Sequence, residues 1–181
     1  DHLLALGAAG LGPRSVARHL TAIRRFHRFL ARERLAEADP SETFDSPRAP
    51  RALPHWLGTE EVERLLAAPD TGTPEGVRDA ALLELFYSCG LRLSEAAGLT
   101  LRDVSLEEAC VRVRGKGSKT RIVPLGRAAL DKLRAWLGLR PDWKPQGPAV
   151  FINGRGRGLP RTAVWQTVKR HARGAGILRN V

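Results

Sequence analysis

The chain has 181 residues, enough for one large domain or two small ones, with 30 lysines and arginines against 19 acidic residues and a net charge of +11. An isoelectric point near 11.0 points to a polyanionic partner. Cys89 and Cys110 lack metal-ligand spacing, the five histidines form no ligand pattern, and no apolar run reaches membrane-spanning length. A metal site, a cofactor and a membrane span are therefore not expected, and reduced thiols in a cytoplasmic protein are.

In chain order, the first strong period is helical. Val16, Leu20, Ile23, Phe26 and Leu30 recur every three or four residues, predicting a helix from Arg14 to Arg34 after a shorter one. Arg14, Arg18, Arg24, Arg25 and Arg28 fall on its other faces and could line a DNA duplex. Three prolines within Asp45 to Pro54, and no usable period, read as an extended linker. Residues 1–44, 45–55 and 56–181 are thus expected to form a small helical piece, a linker and a larger domain. Thr59 is expected to cap a helix over Glu60 to Ala68, with acidic residues in its first turn where the dipole favours them.

Ala80 to Cys89 is almost wholly apolar and predicts a helix buried on most sides, with Tyr87 in the core. Gly90 should end it, since glycine accepts the left-handed conformation past a helix terminus. The next helix opens near Leu93 or Ser94, which sets Arg92 at a buried corner between helices. A guanidinium there needs a partner, either the Glu95 carboxylate or a phosphate from outside.

From Cys110 to Leu125 the period changes to two, with Val111 and Val113 alternating with Arg112 and Arg114: a β-hairpin whose tip is Gly115 to Lys119. Arg112, Arg114, Lys116, Lys119 and Arg121 crowd positions 112–121 without one acidic residue, which suits contact with a nucleic-acid backbone. A helix over Gly126 to Leu137, a loop from Pro141 to Pro148 and a short strand Val150 to Ile152 follow. The turn Gly154 to Gly158 reads as flexible and basic through Arg155 and Arg157, and is too short and misplaced for a dinucleotide loop. Thr162 should cap a last amphipathic helix carrying Val164, Trp165, Val168 and Ala172, with Arg161 at its entry. Positions 143–181 hold eight basic residues and no acidic one, a further sign of DNA contact. The fold class expected is mainly α with a small β-hairpin or sheet (α+β).

GLRLSEAAGLTLRDV followed by VRVRGKGSKTRIVPL resembles the tyrosine recombinase (phage integrase) family, most closely its bacterial Xer branch. The likeness extends through ARHLTAIRRFHRFL, ADPSETFDSPRAPRALP and GTEEVERLLAAP, and so covers nearly the whole chain. It implies part of a helical core-binding domain linked to part of a catalytic domain. It also implies site-specific strand breakage and rejoining through a 3′-phosphotyrosyl intermediate, on double-stranded DNA and with partner recombinase subunits in a tetramer. By motif match Arg92 binds the scissile phosphate, Lys116 protonates the leaving 5′ oxygen, and Glu95 is the supporting carboxylate.

The match is incomplete. The family's HxxR motif, a later His or Trp and the nucleophilic tyrosine are not found here; His171 and Arg173 have the wrong spacing for HxxR. The chain is therefore expected to be a truncated segment, inactive as it stands. The alternative is a non-catalytic DNA-binding module. A metal-dependent nuclease or transposase is disfavoured, because no acidic trio accompanies the strand pattern.

Overall fold

The computed structural model describes residues 2–45, 56–115 and 119–178, with the side chains of 2–4 excepted. The predicted linker beyond Asp45, Lys116 at the hairpin tip and Arg179 lie outside the described residues. The chain divides into two compact units, Asp1–Pro54 and His55–Val181.

The first unit holds α1 (His2–Ala8) and α2 (Pro13–Arg32). Pro13 at the first helical position costs α2 no hydrogen bond, since that N–H has no partner inside the helix. Val16 and Leu20 are buried as the period predicts, whereas Phe26 is exposed. Arg24 donates to the carbonyls of Ser41 and Phe44, so it ties down the segment after α2 and is only partly solvent-facing.

The second unit is built around α4 (Pro74–Cys89). Thr73 accepts from Gly76 N at 3.1 Å, Pro74 and Glu75 occupy the first turn, and Gly90 ends the helix at φ 56°. Gly76 has no alternative, because a Cβ there would lie 1.8 Å from the Asp70 carbonyl oxygen. Ala80 to Leu85 are all buried, as expected of a central helix. Burial all round stops at Leu85: over the last turn only the side carrying Leu85 and Cys89 stays covered. Tyr87 is consequently 62% exposed and not a core residue.

Helix α6 (Arg127–Leu139) packs along α4 through Ala129, Leu133 and Trp136, all fully buried. The Trp136 indole N–H donates to Val150 O at 2.9 Å, so the largest core side chain leaves no orphan donor. Lys132 reaches across to Glu84 at 2.8 Å. Helix α3 (Thr59–Ala67) begins at Gly58: Thr59 is the first helical residue, and Glu61 accepts from Gly58 N at 2.8 Å. Helix α7 (Arg161–Gly174) likewise starts after Pro160, with Thr162 already inside it. Neither threonine caps its helix, because the extended residue at each entry lies one or two positions earlier. Leu65, Leu83, Ala172 and Ile177 close a second small cluster joining α3, α4 and the end of α7.

A three-stranded antiparallel sheet, β1 (Val104–Ser105), β2 (Cys110–Arg114) and β3 (Thr120–Pro124), covers another side of this core. Val111 pairs Val123, Arg112 pairs Ile122 and Val113 pairs Arg121. Paired residues share a face, so Arg121 lies on the side of the buried valines while Ile122, 67% exposed, stands out with Arg112. Val150 to Ile152 are buried but form no strand: isolated bridges join Thr100 to Ala149 and Ile152 to Gly158. Arg140 holds this segment by donating to Ala149 O and Gly147 O, at 2.9 and 2.7 Å, and its burial pushes the guanidinium pKa down.

Candidate nucleic-acid interface and phosphate cleft

Short helix α5 (Leu93–Ala97) opens directly after Gly90, with Arg92 as its extended N-terminal residue. Glu95, three residues on, reaches back so that Oε2 accepts from Arg92 N at 2.7 Å. Its Oε1 accepts from Arg92 NH1 at 3.0 Å. Arg121 of β3 then closes on the same carboxylate as a fork, NH1 to Oε1 at 2.8 Å and NH2 to Oε2 at 2.9 Å. Four hydrogen bonds thus converge on one carboxylate whose side chain is only 3% exposed.

The electrostatics follow. The Arg121 fork, helped by the Arg92 amide and guanidinium, outweighs burial and holds the Glu95 carboxyl at about 2. Reciprocally, the Arg121 guanidinium is pushed up. Arg92 itself is 68% exposed on its side chain, so the corner between helices is not the buried site expected from its apolar neighbours. Gly90, Arg92, Gly115, Lys119, Thr120 and Arg121 line a cleft of about 520 Å³. Two arginines against one carboxylate, with Lys119 beside them, leave the cleft net positive. Such a cleft suits an oxyanion, which planar guanidinium donors can meet edge-on. Of the three residues singled out for catalysis, Arg92 and Glu95 meet here, and Lys116 lies outside the described residues.

The remaining basic candidates are distributed over surfaces. On β2, Arg112 and Arg114 face outward, opposite the buried valines. Arg155 and Arg157 are exposed on a turn that is built rather than slack: Asn153 Oδ1 accepts from both their amides, at 3.0 and 3.1 Å. Gly156 there runs at φ 75° with Lys144 O 2.2 Å from where a Cβ would be, so the turn is closed against the neighbouring loop. On α7, Arg161, Gln166 and Arg173 are exposed, as is Trp165, with the Lys169 ammonium 4.5 Å from its ring centre. Trp165 is thus a surface aromatic among cations. In the first unit Arg14, Arg18, Arg25 and Arg28 are exposed along α2.

One cluster, gathered around a buried carboxylate, was missed in the sequence. Asp79 on α4, 1% exposed, accepts from Arg78 at 2.7 and 2.9 Å, from Arg170 at 2.6 Å, and meets His171 Nε2 at 2.9 Å. Arg78 also donates to Ile152 O at 3.1 Å. This node anchors basic helix α7 to the central helix. Only the adjacent Arg78 and Asp79 give a local hint of it, since its other members lie 91 and 92 positions downstream.

Residues 55–180 match the phage integrase family. Among curated proteins, the chain is 42% identical to tyrosine recombinase XerD of Pseudomonas putida over 98% of its own length and 60% of that protein. It is 39% identical to tyrosine recombinase XerC of Actinobacillus pleuropneumoniae over 93% of its length and 55% of that protein. The chain therefore spans about 60% of the length of the first curated relatives it matches. Among solved structures, XerH recombinase bound to a palindromic difH substrate superposes with a TM-score of 0.79 at 21% identity, over 98% of this chain and 55% of that one. A lambda integrase dimer bound to a COC′ core site gives 0.76 at 13% identity, over 98% of this chain and 64% of that one. The α+β fold is that of these neighbours.

Proposed function

The chain belongs to the phage integrase family, and on that premise we propose that it is the phosphate-cradling part of a site-specific tyrosine recombinase acting on double-stranded DNA. The observation that carries the proposal is the cleft at the entry of α5. There an exposed guanidinium, Arg92, is tethered by a buried carboxylate that a second arginine keeps ionised.

In the reaction proposed, a tyrosine oxygen attacks the scissile phosphorus and loses its proton to water; the P–O bond to the tyrosine forms as the P–O5′ bond breaks. Arg92 meets the charge that builds on the non-bridging oxygens, and Glu95 orients Arg92. Lys116 gives its proton to the departing 5′ oxygen, a task for an amine whose pKa its surroundings can lower. The 5′ hydroxyl released later attacks the phosphotyrosyl bond of a partner strand. Ester is exchanged for ester at each step, so the exchange needs no nucleotide hydrolysis. Fixed cations do the work that a divalent ion does elsewhere.

Residues 1–44 are proposed as part of the core-binding domain, 45–55 as the linker and 56–181 as part of the catalytic domain. Arg14, Arg18, Arg25, Arg28, Arg112, Arg114, Lys119, Arg155, Arg157 and Arg161 are exposed where the structure describes them and fit backbone contacts to a duplex. The neighbours' assemblies, among them a lambda integrase tetramer bound to a Holliday junction, support recombinase subunits as partners. Among the described residues no helix is long and apolar enough to cross a membrane; the cytoplasm is the proposed place of action. Tyr87 is the one tyrosine in the sequence, and it does not line the cleft. The 181-residue polypeptide alone is therefore proposed to bind DNA without cleaving it.

A salt titration tests the binding. Affinity for a duplex should fall log-linearly between about 50 and 200 mM salt, with a slope near −0.9 for each phosphate neutralised. A flat dependence would remove DNA as the partner.

A further inference from the structure

Arg121 stands apart from the other cations of the hairpin. It is 40% exposed, it lies on the face shared with the buried valines, and both its terminal nitrogens are committed to Glu95. By charge alone it belongs with the DNA-contacting residues; by geometry it does not.

A carboxylate offered one guanidinium closes on it as a fork, two oxygens to two nitrogens. Were Glu95 to close in this way on Arg92, it would take the donors that a phosphate needs. In the observed arrangement the fork belongs to Arg121, and Arg92 keeps a single side-chain bond to Glu95, through NH1. Among the described residues no protein partner is recorded for Arg92 NH2 or Nε, on a side chain that borders the cleft.

We propose that Arg121 is a positioning residue: by occupying both oxygens of Glu95 it keeps Arg92 tethered at one nitrogen and its remaining donors open to a DNA phosphate. The proposal rests on the phosphate-binding reading of Arg92 and adds to it a residue that acts only through Glu95. Charge is not enough for this role. A lysine at 121 could neutralise Glu95 but could not occupy both its oxygens in one plane.

The experiment uses the 181-residue chain, a short DNA duplex of arbitrary sequence and fluorescence anisotropy at several salt concentrations. Arg92→Gln should weaken binding about tenfold, the scale of one charged hydrogen bond, and lower the salt slope by about one. Arg121→Gln should do nearly the same, and Arg121→Lys should be no better than Arg121→Gln. The double variant should match Arg92→Gln, with a slope reduced by about one rather than two.

Additive losses, or recovery in Arg121→Lys, would overturn the proposal and make Arg121 a direct or merely electrostatic contact. An Arg92→Gln variant with unchanged affinity and slope would instead remove the phosphate reading, and the proposal with it. A second readout is independent of DNA. By carbon NMR, the Glu95 carboxyl should titrate at about 2 in the parent chain, and should rise further in Arg121→Gln than in Arg92→Gln. An unmoved midpoint in Arg121→Gln refutes the fork.

Discussion

Removing the Glu95 charge should change the pH dependence of stability in a defined window. Its carboxyl is drawn from an ordinary 4.5 down to about 2, first by the Arg121 fork and then by the Arg92 amide and guanidinium. At about 1.4 kcal/mol for each tenfold change in proton affinity, the full difference is about 3 kcal/mol. Arg92 and Arg121 are 68% and 40% exposed, so water screens both partners and about 1–2 kcal/mol is the expected contribution. The sign follows from a folded pKa below the unfolded one. The contribution is complete above about pH 5 and is lost as pH falls toward 2, where protons bind the unfolded chain first. Urea unfolding of the parent chain and of Glu95→Gln, from pH 7 downward, isolates the effect because every other carboxylate is common to both. Their stabilities should differ by about 1–2 kcal/mol at pH 7 and converge as pH falls from 5 toward 2. Parallel profiles through that window would show that Glu95 is not held as described.

In a polypeptide that joins this chain to a segment carrying a nucleophilic tyrosine, Lys116→Ala should slow cleavage by about 10² to 10⁴, the scale of general acid catalysis. Sulfur in place of the 5′ bridging oxygen should abolish most of that defect while leaving the Arg92→Ala defect intact; equal rescue of both, or of neither, would exclude Lys116 as the acid. The 181-residue chain should give no covalent adduct with a nicked suicide substrate on a denaturing gel. An adduct lost in Tyr87→Phe would make Tyr87 a nucleophile after all. Gly76→Ala should unfold or strongly destabilise the larger unit, since its Cβ would lie 1.8 Å from a backbone oxygen; a thermal midpoint within a few degrees of the parent chain would contradict this.

The fold class and half of the candidate site were legible because their determinants are local. Gly90 ends one helix, Glu95 caps the next, and Arg92 lies between them, all within six residues. The alternation of Val111 and Val113 with Arg112 and Arg114 likewise marked a hairpin from neighbouring residues alone. Helix starts at Thr59 and Thr162 were misread by a residue or two, because an extended glycine or proline can serve as the entry in place of a hydroxyl cap. Tyr87 was misplaced because apolar composition cannot say how far along a helix its neighbours extend.

Pattern and chemistry at short range thus determined by themselves where most of the elements lie, that the surface is cationic, and that Arg92 needs a partner. Only the tertiary structure decided which cations remain available to that surface. Arg121 reads as one more basic residue of a hairpin until its pairing with Val113 turns it toward Glu95. Arg170 and His171 read as a charged helix end until α7 packs against α4 and brings them to Asp79. A side chain's period along its own strand or helix says which residues share its face. What that face meets depends on strand register and helix packing, and these bring together residues 26 to 92 positions apart.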